Sequence, residues 1–235
     1  MISMKQNWIS PQGLAWRALG GLLFSANLTA AQAGGALVVD DADVETPGHC
    51  HVETWASHYG TKQGLGHLGM ACTPSSLPSL ELGMQGEYTR DRSDHGLGIG
   101  PTFKWNLLPS ESGVGVALSG NAQWNTRRDR MDAGALLIPV TIPLGDKLNL
   151  NLNVGWSHDD GADRRDAYTE GVQLAYTLNE TLSLIGETFR RQGDPRGYQG
   201  GLRLTHGDMD VDFLYGHYVD GDHTQAYTLG LTWHY

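Results

Sequence analysis

Residues 148–156 set Leu148, Leu150, Leu152, Val154 and Trp156 in strict alternation with Asn149, Asn151, Asn153 and Gly155. Successive side chains of a strand point to opposite faces, so one face is wholly apolar and the other small and polar. A period of two over nine residues excludes a helix. Residues 224–235 repeat the pattern, with Tyr227, Leu229, Leu231, Trp233 and Tyr235 against Ala226, Thr228, Gly230, Thr232 and His234. The solvent face of a soluble sandwich would carry longer charged side chains. Here the second face has the character of a crowded, hydrated interior, as expected of a barrel strand with lipid outside and a polar lumen inside.

The same two-faced writing recurs along the chain. In 97–107, Leu97, Ile99, Phe103, Trp105 and Leu107 oppose Gly98, Gly100, Thr102, Lys104 and Asn106; in 113–124, Val114, Val116, Leu118 and Trp124 oppose Gly115, Ala117, Ser119, Asn121 and Gln123. Less regular strands are expected at 80–89, 134–142, 168–178, 182–190, 198–205 and 209–218. Short links at 109–112, 145–147, 179–181 and 206–208 alternate with longer charged ones at 90–95, 125–132, 157–167, 191–197 and 219–223. Short turns on one rim and long loops on the other are the habit of outer-membrane barrels, the short ones being periplasmic. The expected fold is therefore all-β, a single antiparallel transmembrane barrel of about twelve strands over residues 50–235. Twelve strands return both ends of the barrel to the periplasm. Pro101 and Pro139, which cannot donate to a ladder, are expected at bulges or rims. Trp105, Trp124, Trp156, Tyr168, Tyr227, Trp233 and Tyr235 fall near strand ends, where interfacial girdles sit.

Residues 1–33 hold Lys5 and Arg17 but no acid, then an apolar run through Leu22, Leu23 and Phe24 and a small-x-small end at Ala31-Gln32-Ala33. This reads as a secretory signal peptide cut before Gly34. Its removal takes the formal charge from −10 to −12. An acidic exported chain is a poor nucleic-acid binder. Residues 34–49 show little period and are expected to lie in the periplasm as an N-terminal segment. No later run approaches the roughly 20 apolar residues of a membrane helix, which leaves a closed barrel as the way to span lipid.

Cys50 and Cys72 sit where disulfides persist. A hairpin centred on Thr61 places Cys50 opposite Cys72, Val52 opposite Met70, Thr54 opposite Leu68 and Trp55 opposite His67. One register thus pairs the cysteines, and a structural disulfide is expected. His49 and His51 flank it without completing a metal-ligand set.

The run from Val38 to Glu53, with Asp40-Asp41-Ala42-Asp43, Pro47-Gly48 and Cys50, resembles the entry segment of a family of outer-membrane proteins linked to the meta-pathway of phenol degradation. That resemblance implies a channel or transporter and, as a solute class, small aromatics; it carries no catalytic residues. The end of the chain at Tyr235 resembles the terminal aromatic of bacterial outer-membrane proteins, which implies recognition by the barrel-assembly machinery of a Gram-negative cell.

Register assigns His51, Glu53, Glu81, Gln85, Glu87, Lys104, Gln173, Glu187, Arg203 and Asp212 to the lumen. An acidic lining favours cations or neutral polar solutes; the same residues could instead pair into a plug filling a narrow barrel. Arg127, Arg128, Arg130, Arg164, Arg165, Arg190 and Arg191 crowd the outer loops, where forked guanidinium groups suit lipopolysaccharide phosphates or simply pair with neighbouring Asp. Ser157-His158-Asp159 has hydrolase residue types, but adjacent residues alternate faces and cannot form a nucleophile–base bond. His217 and His234 have no Ser two residues away. The expected function is a narrow channel or uptake protein for small polar or aromatic solutes, without catalytic residues, metal or cofactor. The alternatives are a non-conducting barrel that binds ligand, lipopolysaccharide or a partner through its loops, and, behind these, a lipid hydrolase.

Overall fold

The computed structural model describes residues 36–221 and 223–235. The signal-peptide assignment falls outside the described residues. Twelve strands form one closed antiparallel barrel: β1 (Cys50–Gly60), β2 (Gln63–Cys72), β3 (Leu80–Asp91), β4 (Asp94–Leu108), β5 (Gly115–Asn125), β6 (Arg130–Pro143), β7 (Leu148–Asp159), β8 (Asp166–Asn179), β9 (Leu182–Arg191), β10 (Gly197–His206), β11 (Met209–His217) and β12 (Ala226–His234). Each strand pairs with its sequence neighbours, and β1 closes the cylinder on β12 from His51↔His234 to His58↔Tyr227. Closure leaves no strand edge unpaired, the condition for a sheet to sit in hydrocarbon.

The alternation resolves as expected. Leu136, Ile138, Val154, Leu174, Phe213 and Leu229 are exposed on the outside of the cylinder. On the inside lie buried Asn151, Asn153, Gln173, Ser183, Glu187, Arg203 and Asp212. Greasy surface outside and polar groups within is the reverse of a soluble protein, and it suits lipid as the outer solvent. All seven aromatics expected at the girdles are exposed, Tyr168 most of all at 74%.

The disulfide Cys50–Cys72 is formed, with the two Cα atoms 4.0 Å apart, in the register read from the sequence. The rims differ from expectation. The link expected over 90–95 is a two-residue turn, because β3 runs to Asp91 and β4 begins at Asp94 with Asp91↔Asp94 paired. Strands β6, β7 and β8 likewise continue into what read as loop, through Ala133↔Asp159 and His158↔Asp166. The outer ends of the strands project past the apolar band, where both faces meet water and the two-residue hydrophobic period vanishes.

Pro101 and Pro139 also correct the expectation, lying inside strands and away from bulges and rims. Pro101 is paired with Met84 on β3, while the β4–β5 pairing passes from Ile99↔Trp124 to Thr102↔Asn121 without it. Pro139 is paired with Asn153 on β7, while the β5–β6 pairing passes from Val116↔Val140 to Ser119↔Leu137. Each proline therefore faces a gap in a ladder of β5, and the missing N–H costs no bond.

Candidate functional site

A row of inward side chains, one from each of five consecutive strands, runs around the wall in direct register: Thr141↔Asn151↔Gln173↔Glu187↔Gln199. Thr141 Oγ1 donates to Asn151 Oδ1 at 2.9 Å, Asn151 Nδ2 to Gln173 Oε1 at 2.8 Å and Gln173 Nε2 to Glu187 Oε2 at 2.9 Å. Gln199 Nε2 reaches Glu187 Oε1 from the other side at 2.7 Å. The chain of donors ends on one carboxylate, so the belt has a direction. Such a connected network is stiff when every member is satisfied.

Apart from Gln199 Oε1, which has no partner, what completes it is the segment expected in the periplasm. Residues 36–49 fold into the lumen, with Ala36, Val39, Asp41, Ala42 and Glu45 all buried. The correction has a physical cause: this segment has no ladder of its own, and the belt supplies partners for its backbone. The Val38 and Val39 amides donate to the two oxygens of Glu187 at 2.8 and 3.1 Å. Gln173 donates to the Val39 carbonyl, Gln199 to the Ala36 carbonyl, and the Ala42 amide donates to Thr141 Oγ1. The wall is shaped to admit the segment. A Cβ at Gly171 would stand 2.7 Å from Val39 Cγ2, and one at Gly230 2.9 Å from Ala36 Cβ.

Charge fixes the lower part of the segment. Lys104 Nζ lies 2.7 Å from Asp40 and 3.3 Å from Asp41. The Glu45 amide donates to Glu81 at 2.9 Å, and the Glu45 carboxylate lies 2.7 Å from His234 Nδ1. Asp43 holds Ser110 in the turn after β4. Deeper in the wall Arg203 and Asp212, 2% and 1% exposed, form a two-pronged pair at 2.7 Å on each prong.

The ten residues assigned to the lumen sit on inward positions. His51, Glu53, Glu81, Gln85 and Lys104 line a cavity of about 260 Å³ between the segment and the β1–β6 side of the wall. Gln173 and Glu187 belong to the belt, Arg203 and Asp212 pair, and Glu87 lies opposite His67 and Gly98. Sequence reasoning did not pick out Thr141, Asn151 or Gln199. Their signal was available: in register they extend Gln173 and Glu187 into one level, around a carboxylate that has no base beside it.

The outer arginines are largely paired with acids. Arg127 lies 2.6 Å from Asp94, Arg128 3.6 Å from Asp132, Arg130 2.7 Å from Asp160, Arg165 3.7 Å from Asp160 and Arg191 3.8 Å from Asp194. Arg164 offers its carbonyl to Arg191, and Arg190 faces Glu170 across the β8–β9 pair. Ser157 and His158 are kept apart: Ser157 Oγ accepts from Arg191 Nε at 3.1 Å, while His158 Nδ1 lies 2.9 Å from Asp166. No cluster of His, Cys, Asp and Glu suited to a metal occurs among the described residues.

Solved structures of porins have a similar barrel. The KdgM porin in complex with disordered oligogalacturonate matches with a TM-score of 0.61 at 10% identity, over 78% of this chain and 98% of that one. The NanC porin matches with a TM-score of 0.58 at 9% identity, again over 78% and 98%. At such identities the likeness is one of fold: a closed antiparallel β-barrel. No curated protein matches the sequence. The family model that does match is a different one from the phenol-degradation family that residues 38–53 resemble. It spans residues 22–235, and the chain belongs to the family described as Uncharacterised conserved protein UCP029691.

Proposed function

We propose that the protein is an outer-membrane channel of narrow bore, passing small polar solutes around its own N-terminal segment and favouring cations over anions. One observation carries the reading. The cavity of about 260 Å³ beside the segment is lined by seven carboxylates, Asp40, Asp41, Asp43, Glu45, Glu53, Glu81 and Asp210, against two permanent bases, Lys104 and Arg203. Carboxylate-lined constrictions select for positive charge. An acidic oligosaccharide of the kind seen with the KdgM porin is a poor fit to such a lining. The aromatic solute class rests on the resemblance of residues 38–53 and gains no separate support from the cavity.

Export by the leader, assembly through the strand ending at Tyr235 and contact of the outer arginines with lipopolysaccharide belong to the same reading. Arg190 and Arg196 gather on the outer face around Glu170, with Arg196 Nη2 2.5 Å from its carboxylate. The experiment is conductance of the purified, folded protein in planar bilayers under a salt gradient. Small discrete steps with a cation-selective reversal potential are expected. Neutralising Glu53 and Glu81 to Gln should then move the reversal potential toward zero. Persistent silence of folded protein would favour the non-conducting barrel instead.

A further inference from the structure

A second cavity of about 280 Å³ opens above the belt, toward the loops β9–β10 and β11–β12. Inward residues of three adjacent strands line it: Asn153 on β7, Thr169 on β8 and Arg191 on β9. Their polar atoms are left over. Asn153 is 5% exposed, and neither its Oδ1 nor its Nδ2 has a partner. Its cross-strand neighbours are Pro139 and Gly171, which offer it no polar side chain. The buried Thr169 hydroxyl and Arg191 Nη1 are likewise without a hydrogen bond.

Arg191 is not left loose. Its Nε donates to Ser157 Oγ, and its Nη2 to the carbonyls of Arg164 and Arg165. The guanidinium plane is thereby fixed with Nη1 unused, 3.8 Å from Asp194 Oδ2 and outside hydrogen-bond reach of it. A buried amide with both ends unsatisfied, beside a fixed donor and a hydroxyl, is the kind of group a ligand completes. Val38, Val39, Leu137, Phe189 and Val219 give the wall an apolar part, and Tyr218, Asp194 and Asp220 line it as well.

We propose that this cavity binds a small uncharged ring bearing hydroxyl groups, its hydroxyl edge on Asn153, Thr169 and Arg191 and its C–H face on the apolar wall. The donor and acceptor inventory makes the choice. A carboxylate only accepts, so it would satisfy Asn153 Nδ2 and Arg191 Nη1 but set lone pairs against Asn153 Oδ1. An ammonium only donates, so it would leave Asn153 Nδ2 and Arg191 Nη1 without an acceptor. A hydroxyl does both. The volume lies just below the range of about 300 to 1,000 Å³ usual for ligand sites, and this limits the guest to one ring. Val38 and Val39 form part of the wall, so the guest would touch the segment that fills the lumen.

Calorimetric titration of the folded full-length barrel in detergent tests this without requiring conduction. A silent bilayer would therefore count against the channel and leave this site standing. The probes are glucose, benzyl alcohol, benzoate and benzylamine. Saturable binding of glucose or benzyl alcohol is expected, with benzoate and benzylamine about tenfold weaker or more; which of the two alcohols binds tells a polyol from an aromatic guest. Asn153→Leu should weaken that binding at least tenfold while far-ultraviolet circular dichroism stays unchanged. Should that variant fail to fold, Thr169→Val carries the same test. The proposal is overturned if neither alcohol gives saturable heat, if benzoate or benzylamine binds as tightly, or if folded variants bind like the parent.

Discussion

The Glu187 carboxylate accepts the backbone amide of Val39 at 3.1 Å, joining wall and lumen segment across 148 residues of chain. Its other oxygen takes the Val38 amide, so one side chain holds two successive N–H groups. Glu187→Gln replaces one acceptor oxygen by a donor and breaks this arrangement. Hydrogen bonds to a charged group contribute about 1.5–3 kcal/mol each. The variant is expected to expose residues 36–49 to added protease while 50–235 stays resistant, and to raise unitary conductance if the barrel conducts. Unchanged proteolysis would argue against the carboxylate as the anchor.

Gly171 tests the same docking from the wall side. Leucine there would meet Val39, since a Cβ alone already stands 2.7 Å from Val39 Cγ2. Overpacking of this size costs about 1–3 kcal/mol. Gly171→Leu should abolish hydrogen-exchange protection of the Val38 and Val39 amides and leave the strand amides of β7 protected.

Arg203 and Asp212 form a buried pair whose halves are worth little alone. Arg203→Met strands a carboxylate that is 1% exposed, and breaking such a pair costs about 3–5 kcal/mol. The double variant Arg203→Met with Asp212→Leu should recover most of that loss. Urea midpoints of the single and double variants, compared as a cycle, provide the measurement; additive losses would contradict it.

The disulfide spans 22 residues and links two strands already in register. Replacing both cysteines by alanine should lower stability by about 2–4 kcal/mol, read as a lower temperature for loss of heat-modifiable migration, without moving the lumen segment.

Lipid contact can be probed by position. Leu152 lies midway along the outer face of β7, where arginine costs about 2–4 kcal/mol; at an interface it costs about 0–1 kcal/mol. Leu152→Arg should therefore reduce refolding yield into vesicles, and Tyr168→Arg at the outer rim should hardly do so.

Strand number, inward and outward faces and the cysteine pairing were legible because each rests on a period of two. Leu148 to Trp156 announces both a lipid face and a lumen face, and the ten inward side chains follow from counting. The outer strand ends were not legible. At Arg90 to His95 the chain is polar on both faces, which looks like loop even where the ladder continues. The lumen segment left still less trace, because its backbone is satisfied by side chains of the wall and needs no pattern of its own. Asp40 and Asp41 fall in a segment expected in the periplasm, although Lys104 holds them inside. Glu187, an inward carboxylate flanked in register by two glutamines and no base, was the clue that donors must arrive from elsewhere.

The seam between β1 and β12 has a consequence for how the molecule is made. The β1–β2 hairpin is local and covalently fastened, whereas its other edge waits for residues 226–234. At the foot of that seam Cys50 and Tyr235 exchange both backbone bonds at 2.8 Å, and Glu45 reaches His234 across 189 residues. Contacts so distant in sequence form late. Until then β1 and β12 are bare edges able to recruit a stranger's strand, so the molecule is most exposed to mispairing in the interval between its first hairpin and its final zipping.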